Sequence, residues 1–372
     1  MNKFVPFVLI VFSFIKADAQ NASALRVGDS LFALGEYSQA ILQYEKAENA
    51  DSKIAHAYQA IGNITKALYF YEKAVEKAPE PLSQYRYGKL LLQAGQLQKS
   101  DSIFSLLHHL NPSNPEFAYQ LGLAKEQQND STALTQFYLA YALDKNHQNA
   151  LYKLAKFSAE KRDFEKVKKY IEEGLAADAN STRFLQLKAV VAYVQKDYQT
   201  AATAYEQLIE LNQSNVPLHE NLAKSYNQTY RHQKAIDQYA ILIQRYDDKN
   251  PSWHFDIAKN FEALHYLDKA QHHYEIAILL QDIPLDDIYI ALASVFKKQK
   301  NYKRQFEILQ KAVIENPENE STCYLLATAA DNYFQDKSSI INYYEKCLDS
   351  FKEGGRYSKL AKQRIEDLKS DI

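Results

Sequence analysis

Histidine, cysteine and carboxylate clusters are where this 372-residue chain would carry metal, thiol or acid–base chemistry. His108 and His109 are adjacent, as are His272 and His273. Neighbours on a helix point about 100° apart, so neither pair grips a single ion well. His265 and His272 are separated by a turn, and no carboxylate or cysteine pattern completes a ligand set. Nothing around the two cysteines, Cys323 and Cys347, suggests a catalytic thiol. The chain has no phosphate-binding glycine loop, nucleophile elbow or zinc-protease motif. The expectation is a protein without a cofactor, without a metal and without enzymatic activity.

Charge excludes further classes. With 44 basic against 46 acidic residues, no global pull toward nucleic acid or a membrane surface follows. The one basic run, Lys297, Lys298, Lys300, Lys303 and Arg304, straddles a predicted turn and lacks the interleaved aromatics of a nucleic-acid patch. Glutamate recurs after a bulky position at Glu45, Glu72, Glu206, Glu275 and Glu345, which argues for a repeated structural job and against a unique active site.

The elements that must position these residues are helices in pairs. From Phe255 to Leu280, Ile257, Ala258, Phe261 and Leu264 form one helical stripe. After a turn near 265–267, Ala270, Tyr274 and Ala277 form another. The pattern recurs. A small residue marks each first helix at Gly28, Ala55, Gly88, Gly122, Ala155, Ala189, Ala223, Ala258, Ala293 and Ala327, in steps of 33 to 35 residues after a first step of 27. A bulky column marks each second helix at Tyr44, Tyr71, Phe104, Phe137, Ile171, Tyr205, Tyr239, Tyr274, Leu309 and either Tyr343 or Tyr344. Pro79, Pro112 and Pro317 are placed to stop second helices. One such pair cannot bury its own apolar face, so the copies must stack.

This order of small, aromatic and proline positions resembles the tetratricopeptide repeat family. The resemblance implies an all-α fold, a right-handed α-α superhelix of about ten helical hairpins between residues 20 and 353, its first helices lining a concave groove. It also implies where a partner would bind. One groove row is Tyr85, Tyr119, Tyr152, Gln186, Glu220, Phe255, Ile290 and Tyr324, and a second, one turn on, includes Lys89, Lys156, Lys224 and Lys259. Aromatics there supply apolar area and lysines pair with a partner's carboxylates; the competing reading is that the aromatics pack one repeat on the next. A protein or peptide partner is expected, with no nucleic acid; recognition of a carbohydrate or peptidoglycan component is the alternative. Within the last hairpin, Cys323 starts the first helix and Cys347 lies near the end of the second, so they are either a disulfide or two small buried thiols.

Both ends carry expectations. Residues 1–19 have Lys3, an apolar run from Phe4 to Ile15, and Ala17 and Ala19 around Asp18, the layout of a secretory signal peptide. The run is shorter than the ~20 residues of a membrane span, and the alternative to cleavage is a leader retained as an N-terminal anchor. An exported chain is expected, periplasmic or envelope-associated, of a type resembling envelope proteins of the Bacteroidota, with no transmembrane span once mature. Residues 354–372 are expected to form a capping helix with a stripe of Tyr357, Leu360, Ala361, Ile365 and Leu368.

Overall fold

The computed structural model describes residues 20–280, 285–350 and 355–370; the leader and Gly354 lie outside them. Its helices are α1 (20–33), α2 (Tyr37–Tyr44), α3 (Asp51–Ala60), α4 (Ile64–Lys77), α5 (Pro81–Gln93), α6 (Leu97–Leu110), α7 (Pro115–Gln127), α8 (Ala133–Leu143), α9 (Gln148–Glu160) and α10 (Phe164–Ala177). They continue with α11 (Thr182–Val194), α12 (Tyr198–Glu210), α13 (Val216–Gln228), α14 (His232–Arg245), α15 (Pro251–Ala263), α16 (Leu267–Leu280), α17 (Asp286–Lys298), α18 (Tyr302–Glu315), α19 (Glu320–Tyr333), α20 (Lys337–Ser350) and α21 (Arg356–Ser370). No strand occurs among the described residues, so the fold class is all-α. Two compact units divide the chain, Met1–Ala179 and Asn180–Ile372, and each is a stack of the same hairpins.

The two columns meet inside each hairpin. Tyr71, Phe104, Tyr239 and Tyr274 are wholly buried, each opposite its small residue. Where that residue is glycine the ring occupies the missing side chain's space. A Cβ on Gly28 would lie 2.5 Å from Tyr44 Cε1, on Gly88 2.8 Å from Phe104 Cζ, and on Gly122 2.6 Å from Phe137 Cε1. The tenth bulky position is Tyr344, which is buried, and not Tyr343, which is half-buried. The short step of 27 is taken up by two trimmed helices, α2 with 8 residues and α3 with 10.

A second periodic feature sits in the turn within every hairpin from α1–α2 to α17–α18. Gly35, Gly62 and Gly95 have positive φ, and so do Asn129, Arg162, Lys196, Tyr230, His265 and Lys300 at the equivalent place. The left-handed residue lets the chain close two bonds over the helix end: Lys300 N–H donates to Lys297 C=O (2.9 Å) and Asn301 N–H to Phe296 C=O (2.9 Å). The next residue often caps the second helix, as Asn63, Asp163, Asp197 and Asn301 do by accepting from a backbone N–H three residues on. An L-residue in this conformation costs about 1–2 kcal/mol, part of which glycine returns as lost chain entropy. Lys300→Gly is therefore expected to stabilise by about 0.5–1 kcal/mol and Gly95→Ala to destabilise by a similar amount. Urea midpoints of the two variants moving in the same direction would contradict this.

At the C-terminal end α21 closes the last hairpin. Ala361, Ile365 and Leu368 are buried in one cluster with Cys323, Ala327, Ile340, Tyr344 and Cys347. Leu360, expected in that stripe, is 43% exposed, and Tyr357 reaches Tyr324 instead, ring centroids 5.4 Å apart. Arg364 adds a two-pronged ion pair to Asp331 of α19, at 2.7 and 3.0 Å. Cys323 and Cys347 are joined as a disulfide, Cα atoms 5.6 Å apart.

Candidate functional site

The groove residues sit on first helices, and the structure separates them into a packed row and an open row. On α5, Tyr85 is half-buried; its hydroxyl donates to Glu116 Oε1 of α7 at 2.7 Å, and its ring meets Phe104 and Phe117. Burial, followed by that bond to Glu116, pushes the Tyr85 hydroxyl well above its ordinary pKa. Glu116 itself gathers partners. Gln120 Nε2 donates to it at 2.8 Å, and His147 Nε2 lies 3.2 Å away. His147 Nδ1 accepts from Ala150 N–H (3.1 Å), so its proton is on Nε2 and is donated to Glu116. Burial alone would raise Glu116; the hydrogen bonds from His147, Gln120 and Tyr85 outweigh it and hold the carboxyl down to about 2.

Tyr119 requires a correction. It is only 9% exposed, with its ring 5.7 Å from Phe137 and 5.2 Å from His147, so it packs the stack and offers little surface to a partner. Tyr324 is likewise taken up, lying between Tyr344 and Tyr357 once α21 is in place. Tyr152 and Phe255 are half-buried, the latter 5.7 Å from Tyr274. Glu220 accepts from Trp253 Nε1 at 2.5 Å, with Lys224 at 4.0 Å on its other side.

Three lysines of the second row stay open, while Lys224 is half-buried beside Glu220. Lys89 and Lys259 are exposed, their ammonium groups 5.4 Å and 5.3 Å from the ring centroids of Tyr85 and Phe255. Lys259 has only a loose contact with Asp256 at 4.0 Å. Lys156 is exposed too and lines a cleft in the first unit. On α5 and α15 the first helix thus offers a cation resting on a half-covered aromatic ring.

Several participants were invisible to sequence reading because they join successive hairpins. Tyr44 donates to Asp29, which also holds Lys53. Tyr274 donates to Glu262, which also binds Ser294 and Lys298. Tyr344 donates to Asp331, which binds Arg364. In each case a second-helix tyrosine, a first-helix carboxylate and a cation of the next element form one bracket. The recurrent glutamates do related work: Glu72 accepts from Tyr87 and Lys99, and Glu206 from Tyr226 and Lys234. Lys298 and Arg304 of the basic run are paired to Glu262 and Glu307.

Histidine has one concentrated site. His254 Nε2 donates to the Asp248 carbonyl (3.0 Å), which leaves its Nδ1 as the acceptor of His273 Nδ1–H at 3.0 Å. Among the described residues no three His, Cys, Asp or Glu groups converge to hold a metal. Burial, with His254 and His272 nearby, depresses His273 to about 4. The unfolded chain takes up this proton near pH 6.5 and the folded one resists until about 4, so stability is full above 6.5 and declines between the two. Solvent screening at this half-buried site reduces the loss to about 1 kcal/mol. Urea midpoints at pH 7.5 and 5.0 should show it, and His273→Gln, which keeps a donor for His254, should flatten the slope.

Together these features define a helical-hairpin repeat protein. The tetratricopeptide repeat family profile matches residues 187–250. "TPR repeat-containing protein YpiA" of Bacillus subtilis is 23% identical over 304 residues, 79% of this chain and 63% of that protein. "DnaJ homolog subfamily C member 3" of Gallus gallus is 22% identical over 305 residues, 80% of this chain and 49% of that protein. The chain thus spans less than two thirds of the length of either curated relative. Among solved structures, the C-terminal part of a TPR repeat-containing protein from Cytophaga hutchinsonii is 16% identical, covering 59% of this chain and 96% of that one, with a TM-score of 0.48. The profile match and the Bacillus subtilis relative support similarity to the tetratricopeptide repeat family, whose members generally act as interaction scaffolds.

Proposed function

We propose that this chain is a non-enzymatic scaffold or assembly factor of the bacterial envelope that holds a segment of a partner protein against its first helices. The observation that carries the reading is the open lysine row: Lys89 and Lys259 stand exposed over half-covered rings, while the carboxylates nearby, Glu116 and Glu220, are occupied internally. A cation over a ring is a partly desolvated, oriented donor for a partner's carboxylate, and the ring edge beside it supplies apolar contact. Glycan recognition is not favoured, because it needs open aromatic faces and here those faces are covered by lysines or buried. Export is supported by the layout of residues 1–19 and by the disulfide, a bond that persists in oxidising compartments. Among the described residues no helix is long and apolar enough to cross a membrane.

The test is capture from the envelope fraction by wild type beside a variant with Lys89, Lys156 and Lys259 all changed to Glu. The three positions are exposed cations, so helicity should not change. Capture of one partner should fall at least about tenfold in the variant, the equivalent of 1.4 kcal/mol. Undiminished capture would reject the row as the site.

A further inference from the structure

We propose that the cleft between α7, α8 and α9 receives an aromatic side chain of a partner segment, with a single carboxylate beside that side chain held by Lys156. This deepens the first-helix reading above and rests on it.

The cleft forms where a hairpin departs from the common pattern. Three residues before the small or core residue of the second helix most hairpins place a bulky side chain, Tyr37, Ile64, Leu97, Phe164, Tyr198, His232, Leu267 and Tyr302, and the last hairpin has Lys337 ahead of buried Ile340. Two of these visibly close the hairpin mouth by packing on the first helix, Tyr37 on Phe32 (5.1 Å between centroids) and Tyr198 on Tyr193 (5.5 Å). In the α7–α8 hairpin the corresponding residue is Asp130 and the residue equivalent to Phe32 is Glu126. Asp130 turns back on the chain, accepting from the Thr132 N–H and hydroxyl, both at 2.8 Å, and from Lys125 at 3.2 Å. The first turn of the second helix is lost, and α8 begins at Ala133, where α6 begins three residues ahead of Ser100.

What is left is a cleft of about 350 Å³ lined by Leu134, Phe137 and Phe157. A ring carried by a partner would occupy the place that the chain's own ring fills in other hairpins. The charges around it are unequal in commitment. Glu126 is paired with Lys153 and Asp130 with Lys125, whereas Lys156 and Glu160 have no ion-pair partner among the described residues. Lys156 asks for a carboxylate next to the ring; Glu160, one turn along, disfavours a run of them. The complementary occupant is therefore a segment with an aromatic residue and one acidic neighbour, not an acidic tract.

The experiment uses the full chain and three fluorescein-labelled heptapeptides of glycine carrying a central Asp-Phe, Asp-Ala or Lys-Phe, read by fluorescence polarisation. Wild type should bind the Asp-Phe peptide at least about tenfold more tightly than either control. Asp130→Leu, which restores the bulky residue and fills the cleft, should abolish that preference. Lys156→Glu, an exposed change that leaves folding alone, should invert the choice between Asp-Phe and Lys-Phe. The proposal is overturned if wild type binds the three peptides alike or none of them, or if both variants bind as wild type does. A groove partner still captured through Lys259 by cleft-filled Asp130→Leu protein, with its affinity unchanged, would likewise remove the cleft while leaving the first-helix reading standing.

Discussion

Replacing Tyr274 by alanine is expected to destabilise the second unit by about 3–5 kcal/mol, the range for deleting a large buried aromatic side chain. Its ring is wholly buried in a cluster with Ala258, Ala277, Ile288 and Leu292, so truncation opens a cavity between two hairpins. The hydroxyl contributes separately. It donates to Glu262 at 3.0 Å, and Glu262 also holds Ser294 and Lys298 of the next hairpin. Tyr274→Phe keeps the packing and removes one charge-assisted bond, so its cost should be about 1–2 kcal/mol. Chemical denaturation of both variants separates the two contributions. Equal costs would mean that the bracket, and not the ring, dominates.

The second large effect is in the last hairpin of the unit. Cys323→Ser with Cys347→Ser should cost about 3 kcal/mol, since the bond closes a 24-residue loop in the unfolded chain. In a stack of repeats each hairpin contacts only its neighbours, so the damage should stay local. Hydrogen exchange is expected to quicken in α19, α20 and α21, whose shared cluster contains both cysteines, while α13 to α16 keep their protection. Uniform acceleration throughout the unit would contradict this. Deleting residues from Arg356 onward should do more harm, because Ala361, Ile365 and Leu368 then leave the cluster uncovered.

The hairpins were legible in the sequence because their signal is short-range and repeated. A small residue and a ring meet once per copy, and Gly88 against Phe104 shows how tightly. Proline did the same at helix ends: α4, α6 and α18 stop two residues before Pro79, Pro112 and Pro317, where the preceding residue is barred from helical geometry. Left-handed turns carry a composition cue only at Gly35, Gly62 and Gly95; Arg162, Lys196 and Lys300 adopt the same conformation with none. Neighbouring bulky residues also defeated the pattern, since only the stack decides that Tyr344 faces inward and Tyr343 does not.

The candidate site was legible in register and not in exposure. Position on the first helix predicts which way Tyr119 and Tyr324 face, but whether they are covered depends on His147 and Tyr357, 28 and 33 residues further on. The brackets around Asp29, Glu262 and Asp331 likewise join residues of different hairpins. Lysines carry the opposite lesson. Lys89 and Lys259 stay exposed because their ammonium groups are too costly to bury unpaired, so sequence position alone was sufficient for them.

Whether a partner lies along the first helices is decided by site-specific photo-crosslinking in cells. A photoreactive side chain is placed singly at Lys89 and Lys259 and, as controls, at exposed second-helix positions Ser102 and Glu275. One common partner should crosslink from Lys89 and Lys259 and be absent from the control positions, with the yield falling when the remaining groove lysines are reversed to Glu. Crosslinks confined to Ser102 and Glu275 would place the partner on the second helices and contradict it.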